Sequence, residues 1–195
     1  MKRTVIAVAT AAILAGCAAE KKDTAATPPV DPNVAQARGI VKNFATGLQG
    51  ELQAAMQAGG PPNAISVCKD KAPAIAKAEQ EKSGWQDVGR TSLKLRNPAN
   101  KPDAWELAVL QKFEGRKAAG EDPAKIEHSE IVEAGGKKTF RYMRAIPTQE
   151  VCLACHGKSV DKATEAKLAK LYPKDKARGF NVGDLRGAFT LSKNL

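Results

Sequence analysis

Between residues 34 and 58 the apolar positions Ala37, Val41, Phe44, Leu48, Leu52 and Ala55 recur at intervals of three and four. That period predicts an amphipathic helix, ended by Gly59-Gly60-Pro61-Pro62. Asn63 is expected to cap a second helix that runs towards Gly84, with Pro73 bending or breaking it near Ala72. Residues 87–95, DVGRTSLKL, alternate as a strand does, and RNPANKP after them reads as a loop. Pro102 in a first-turn position opens a helix through DAWELAVLQKFEGRKAAG. Two more β-like runs, 125–133 and 137–146, flank Ala134-Gly135-Gly136, which is a hairpin signal. A short helical turn is expected around residues 151–157, a helix over 161–171 and a closing strand over 184–191. The sum is an α+β class: an antiparallel sheet with helices packed to one side.

The first residues stand outside this pattern. Lys2 and Arg3 precede a short apolar run from Val5 to Leu14, well below the roughly 20 apolar residues of a membrane-spanning helix. Leu14-Ala15-Gly16-Cys17 follows, and it resembles the lipobox of bacterial lipoproteins. Residues 1–16 are therefore expected to be a lipoprotein signal peptide, and Cys17 the lipidated N-terminus of the mature chain. Residues 17–33, polar and proline-rich, read as a flexible tether, and residues 34–195 as one domain. The expected location is exported, lipid-anchored and periplasm-facing; Ala18 after the cysteine points to the outer membrane.

The chain holds 31 basic and 21 acidic residues, and loss of Lys2 and Arg3 leaves 29 basic residues, a formal +8. An exported protein does not meet nucleic acid. The charge is a solvated surface, or it serves an acidic partner or a negatively charged cofactor.

Cys152-Leu153-Ala154-Cys155-His156 is the c-type haem attachment signature. Two thiols one helical turn apart reach the two vinyl groups on one edge of the porphyrin. The next residue in line then aims an imidazole at the iron. Zinc would need four ligands, and outside the motif only Cys68 and His128 are of that kind in the expected domain. A redox dithiol would open a helix beside a βαβ unit, whereas this pair follows a hairpin.

The sixth position on the iron stays open on residue pattern alone. Cys68 has no disulfide partner once Cys17, Cys152 and Cys155 are assigned. Met143 lies in a predicted strand, Met56 on the first helix, and His128 in the polar setting of an exposed strand end. Cys68 and Met143 are the two close candidates. Arg96, Arg144 and Arg186 are candidates for the haem propionates and Trp85 and Trp105 for packing beside the ring, each set against an ordinary surface or core role.

Four blocks carry a further observation: AISVCKDKAPAIA, RTSLKLRNPANKPDAWE, RYMRAIPTQEVCLACHG and YPKDKARGFNVGDLRGAF. In this order they resemble the PAS-like c-type haem family, across most of residues 34–195. The resemblance implies a PAS-like antiparallel sheet with N-terminal helices and one covalent haem c. It also implies an axial pair of His156 and Cys68, and a role in sensing or redox signalling.

Function is thus expected to be a haem-based redox or gas sensor module, working through a protein partner and binding NO or CO. The alternative is a low-potential electron-transfer cytochrome. No catalytic constellation is present in the sequence, so an enzyme is not expected.

Overall fold

The computed structural model describes residues 30–195. The lipobox, Cys17 and most of the tether lie outside the described residues. Among the described residues no helix is long and apolar enough to cross a membrane.

Helix α1, Pro32–Ser66, opens on Asp31, whose carboxylate accepts the Asn33 N–H at 2.7 Å. Its stripe Ala37, Ile40, Val41 and Phe44 is buried. Gly59 and Gly60 leave helical geometry, Gly60 at φ 66°, and kink the rod. Pro61 and Pro62 then sit in the first turn of its resumption, where no N–H is required. Asn63 does not cap this second part as its sequence position suggests. Its amide reaches back and donates to the Ala55 carbonyl at 3.1 Å.

Pro73 does not break the chain either. Val67–Lys71 forms a wide π-turn, closed by the Ala72 N–H on the Val67 carbonyl, and α2 continues over Ala72–Ser83. The wider turn accommodates a proline ring that would clash with the carbonyl four residues back in a regular helix. Cys68 lies in this turn.

Strands β1 (Asp87–Thr91), β2 (Glu127–Ala134), β3 (Lys137–Pro147) and β4 (Leu185–Asn194) form one antiparallel sheet in the order β1-β4-β3-β2. β1 is shorter than the alternation suggests, because the chain turns away at Ser92 to form part of a cleft wall. Gly135 and Gly136, at φ 58° and 74°, make the two-residue hairpin turn, which demands positive φ at both positions. Between β1 and β2, helix α3 (Ala104–Ala118) starts with a capping box in which Asp103 and Glu106 satisfy each other's backbone N–H groups.

Helices cover both faces of the sheet, not one. Phe140, Tyr142, Phe189 and Leu191 pack against α1 and Trp85. Met143, Ala145 and Ala188 point the other way, onto Val109, Leu110 and Phe113 of α3. Alternation along β3 requires this split, since residues 142 and 143 cannot share a face.

The buried Tyr142 hydroxyl donates to Glu127 at 2.6 Å, and Arg38 of α1 forks onto the same carboxylate. The Arg38 hydrogen bond, outweighing burial, holds the Glu127 carboxyl below its ordinary 4.5. A depressed carboxyl stabilises the fold above its unfolded value and loses that contribution as pH falls through its folded value. Urea midpoints are therefore expected to stay flat down to about pH 5 and fall below it. Glu127→Gln should lower the midpoint at pH 7 and flatten part of that acid-side slope. An unchanged slope would contradict this assignment.

Candidate functional site

After Ile146 the β3–β4 pairing shifts register, and the strand leaves the sheet. Thr148 is pinned by its N–H on the Asp184 carbonyl at 2.7 Å and by the Gly183 N–H on its own carbonyl at 2.9 Å. From that anchor the chain enters a tight turn, Glu150–Cys152, and helix α4, Leu153–His156. These carry Cys152, Cys155 and His156. Gly157 ends α4, and a Cβ there would lie 2.6 Å from the Leu153 carbonyl oxygen, so the glycine of VCLACHG is required by space. Helix α5, Lys162–Leu171, capped by Asp161, packs behind, with Leu168 and Tyr172 against Ile65 and Cys155.

Cys152, Cys155 and His156 line a cleft whose other walls include Cys68 of the π-turn and Leu48, Leu52 and Met56 of α1. All three cysteines are free thiols and half-buried. Gly187 completes the floor: its φ is 158°, and a Cβ would come within 2.3 Å of the Thr91 carbonyl oxygen.

His156 is oriented. Its Nδ1–H donates to the Ala177 carbonyl at 2.8 Å, which leaves Nε2 as the lone-pair nitrogen. Around Nε2 stand Arg186 Nε at 3.3 Å and Arg96 Nη1 at 3.5 Å. Burial, followed by these two cations, pushes the imidazole well below its ordinary value, so it is neutral. Burial also pushes the Arg186 guanidinium down to about 10, helped by Arg96 and Arg90. Tyr172 on the cleft wall is raised to about 12 by burial and then by the nearby Cys68.

The cleft thus gathers Arg90, Arg96 and Arg186, and Arg96 Nε is buried without a partner. Asp175 is the one carboxylate paired with any of these three arginines among the described residues. Among those residues, too, no three His, Cys, Asp or Glu side chains converge closely enough to hold a bare ion. Sulfur and nitrogen donors on separate apolar walls, beside two cations, Arg90 and Arg186, that no carboxylate pairs among the described residues, fit a broad, apolar, negatively charged ring. Haem with its two propionates has that character.

The remaining residues that the sequence singles out lie elsewhere. Met143 is fully buried beneath α3, on the sheet face away from α1, and does not line the cleft. Of the sulfur side chains outside the attachment motif, Cys68 and Met56 line the cleft. His128 stacks near Trp105 and contacts Glu130 at 3.4 Å. Arg144 reaches Ala124 and Glu127, and Trp85 belongs to the α1 core. Arg96 and Arg186 do line the cleft; Arg90, Tyr172 and the Ala177 carbonyl join them without any signal in the residue pattern that marks them as cleft groups. Only the blocks RTSLKLRNPANKPDAWE, for Arg90, and YPKDKARGF, for the other two, hint at them.

The family profile described as Tll0287-like: Tll0287 matches residues 18–193. Among solved structures, the crystal structure of the cyanobacterial heme-protein Tll0287 is similar, with a TM-score of 0.64 and 26% identity. The match covers 85% of this chain and 97% of that one. No curated protein matches the chain.

Proposed function

The chain belongs to the Tll0287-like family, and from that premise we propose that it is an exported c-type haem protein acting as a redox or gas sensor. The observation that carries this is the placement of His156, its Nδ1–H tied to a backbone carbonyl and its Nε2 turned into a cleft shared with three free thiols. The similar solved protein is itself a heme-protein. Cys152 and Cys155 would hold the porphyrin by thioethers, and His156 and Cys68 would ligate its iron. Arg90 and Arg186, the cleft arginines that no carboxylate pairs among the described residues, are the candidates to meet the propionates. Bound haem supplies a one-electron couple and, where an axial position opens, a binding position for NO or CO.

Cys68 stands on the least regular part of its helix, between the Gly59-Gly60 kink and Pro73. Single π-turns inside helices are frequent at functional sites. This favours release of Cys68 on reduction, and with it sensing. A low-potential electron carrier is the second reading, favoured by two ligands held in one apolar cleft. Neither reading makes the protein an enzyme. Cys17 anchors the chain by lipid on the periplasm-facing side of the outer membrane, and a redox or signalling protein is its partner; nucleic acid is not.

Mature protein made with haem-maturation machinery is expected to show a His/thiolate charge-transfer band in near-infrared magnetic circular dichroism of the ferric state. A His/Met band would overturn the ligand assignment. Ferrous protein that binds CO supports sensing; ferrous protein that refuses CO and NO and keeps its ligands supports the carrier.

A further inference from the structure

We infer that Arg96, clamped by Asp175, is a positioning residue that fixes the Ala177 carbonyl and through it the plane and tautomer of His156. The inference rests on the haem reading above and names the residues that regulate the ligand.

Arg96 and Asp175 form a buried ion pair at 3.1 Å, their side chains 6% and 5% exposed. Arg96 Nη2 also donates to the Cys155 carbonyl and, at 3.2 Å, to the Ala177 carbonyl. The Ala177 oxygen has two lone pairs, and the second accepts the His156 Nδ1–H. Asp175 in turn accepts the Ala177 N–H at 2.9 Å and Arg178 Nε at 2.8 Å. The segment is pinned on both sides: the Lys176 N–H lies on the Leu95 carbonyl at 2.7 Å, and the Phe180 N–H on the His156 carbonyl at 3.0 Å. One guanidinium thus ties together the attachment turn, the acceptor of the imidazole and the carboxylate that holds that acceptor.

Stability alone is a poor account of this pair. Desolvation of a buried ion pair offsets most of its attraction, and apolar side chains of equal volume often serve as well. What apolar side chains cannot do is hold three oxygen atoms from two separate stretches of chain at fixed positions. Lysine keeps the charge but lacks the planar fork. Groups that orient a metal-bound histidine through its second nitrogen fix its ring plane and its basicity. The Ala177 carbonyl has that place here.

The test compares wild-type holoprotein with Arg96→Lys, Arg96→Gln and Asp175→Asn by ferric electron paramagnetic resonance, redox titration and thermal melting. Wild type should give one low-spin species. Arg96→Lys, with its charge intact, should leave less than about half of the iron in that species, and Asp175→Asn should also split the signal. Arg96→Gln should do so and lower the potential as well, because it removes a cation. Native signals and potentials in Arg96→Lys and Asp175→Asn would overturn the inference, even if both melt earlier. If the variants fail to mature, ¹⁵N-histidine spectra of wild-type ferrous holoprotein decide. A His156 Nδ1–H that persists in water for minutes supports the clamp, and one lost in the dead time overturns it. Wild type without covalent haem would bring down the parent reading too, a result distinct from haem-loaded variants with native spectra.

Discussion

Changing Cys152 and Cys155 together to alanine is expected to abolish haem that survives denaturation: the haem stain of a denaturing gel should vanish, and acid–acetone should extract nearly all the pigment. Each single variant keeps one thioether and should retain stainable haem at reduced yield. The polypeptide should suffer little. Both residues are half-buried free thiols, and the Cys152 sulfur receives only a long 3.3 Å contact from the Gln149 N–H. Cys155 packs beside Ile65, Leu168 and Tyr172, where truncation costs on the order of 1 kcal/mol. Because the turn is held by backbone bonds from Thr148, Gly179 and Phe180, the apo-fold should survive and the effect on the cofactor can be read cleanly. Haem that still migrates with the double variant would end the c-type assignment.

Features of this chain that are local are legible in its residues. The Gly135-Gly136 hairpin needs only two positive-φ residues, and Cys-x-x-Cys-His needs only one helical turn, so both stand out in the sequence. Helix α3 is legible too, although Pro102 stands one residue before the N-cap Asp103 and not in the first turn, and its capping box lies within four residues. The choice between Cys68 and Met143 is different. Alternation assigns Met143 to the opposite face from Tyr142 but cannot say which face the cleft adjoins, and nothing in the periodicity calls for a helix on each face. The π-turn depends on a bond across five residues and on strain from Pro73, neither of which has a periodic signature. Least visible is the partner of His156, a backbone carbonyl 21 residues away, to which no side-chain identity points. Asp175 becomes meaningful only once the loop is folded against Arg96.

Cys68→Ala is the variant that separates ligation from attachment. It should keep the thioethers, lose the near-infrared thiolate band and raise the reduction potential by roughly 0.1 V or more, part of the about 0.8 V that axial ligands command. The direction follows from charge: an anionic sulfur favours ferric iron, and its loss favours ferrous. With the thiolate absent, exogenous imidazole or CO should bind without delay, unless Met56, the methionine that lines the cleft, takes the position. A His/Met band in Cys68→Ala that disappears in Cys68→Ala/Met56→Leu would identify that replacement. Met143→Leu should change none of these spectra, since its sulfur is sealed beneath α3. The comparison also bears on function. If ferrous wild type binds CO as readily as ferrous Cys68→Ala, Cys68 has already left on reduction, and the π-turn is the element that lets it go. If wild type is slower by a factor of a hundred or so, about 2.7 kcal/mol holds the ligand in place, and the protein carries electrons through a closed site. An unchanged potential and band in Cys68→Ala would remove the thiolate from the iron and, with it, the physical case for a switch at this position.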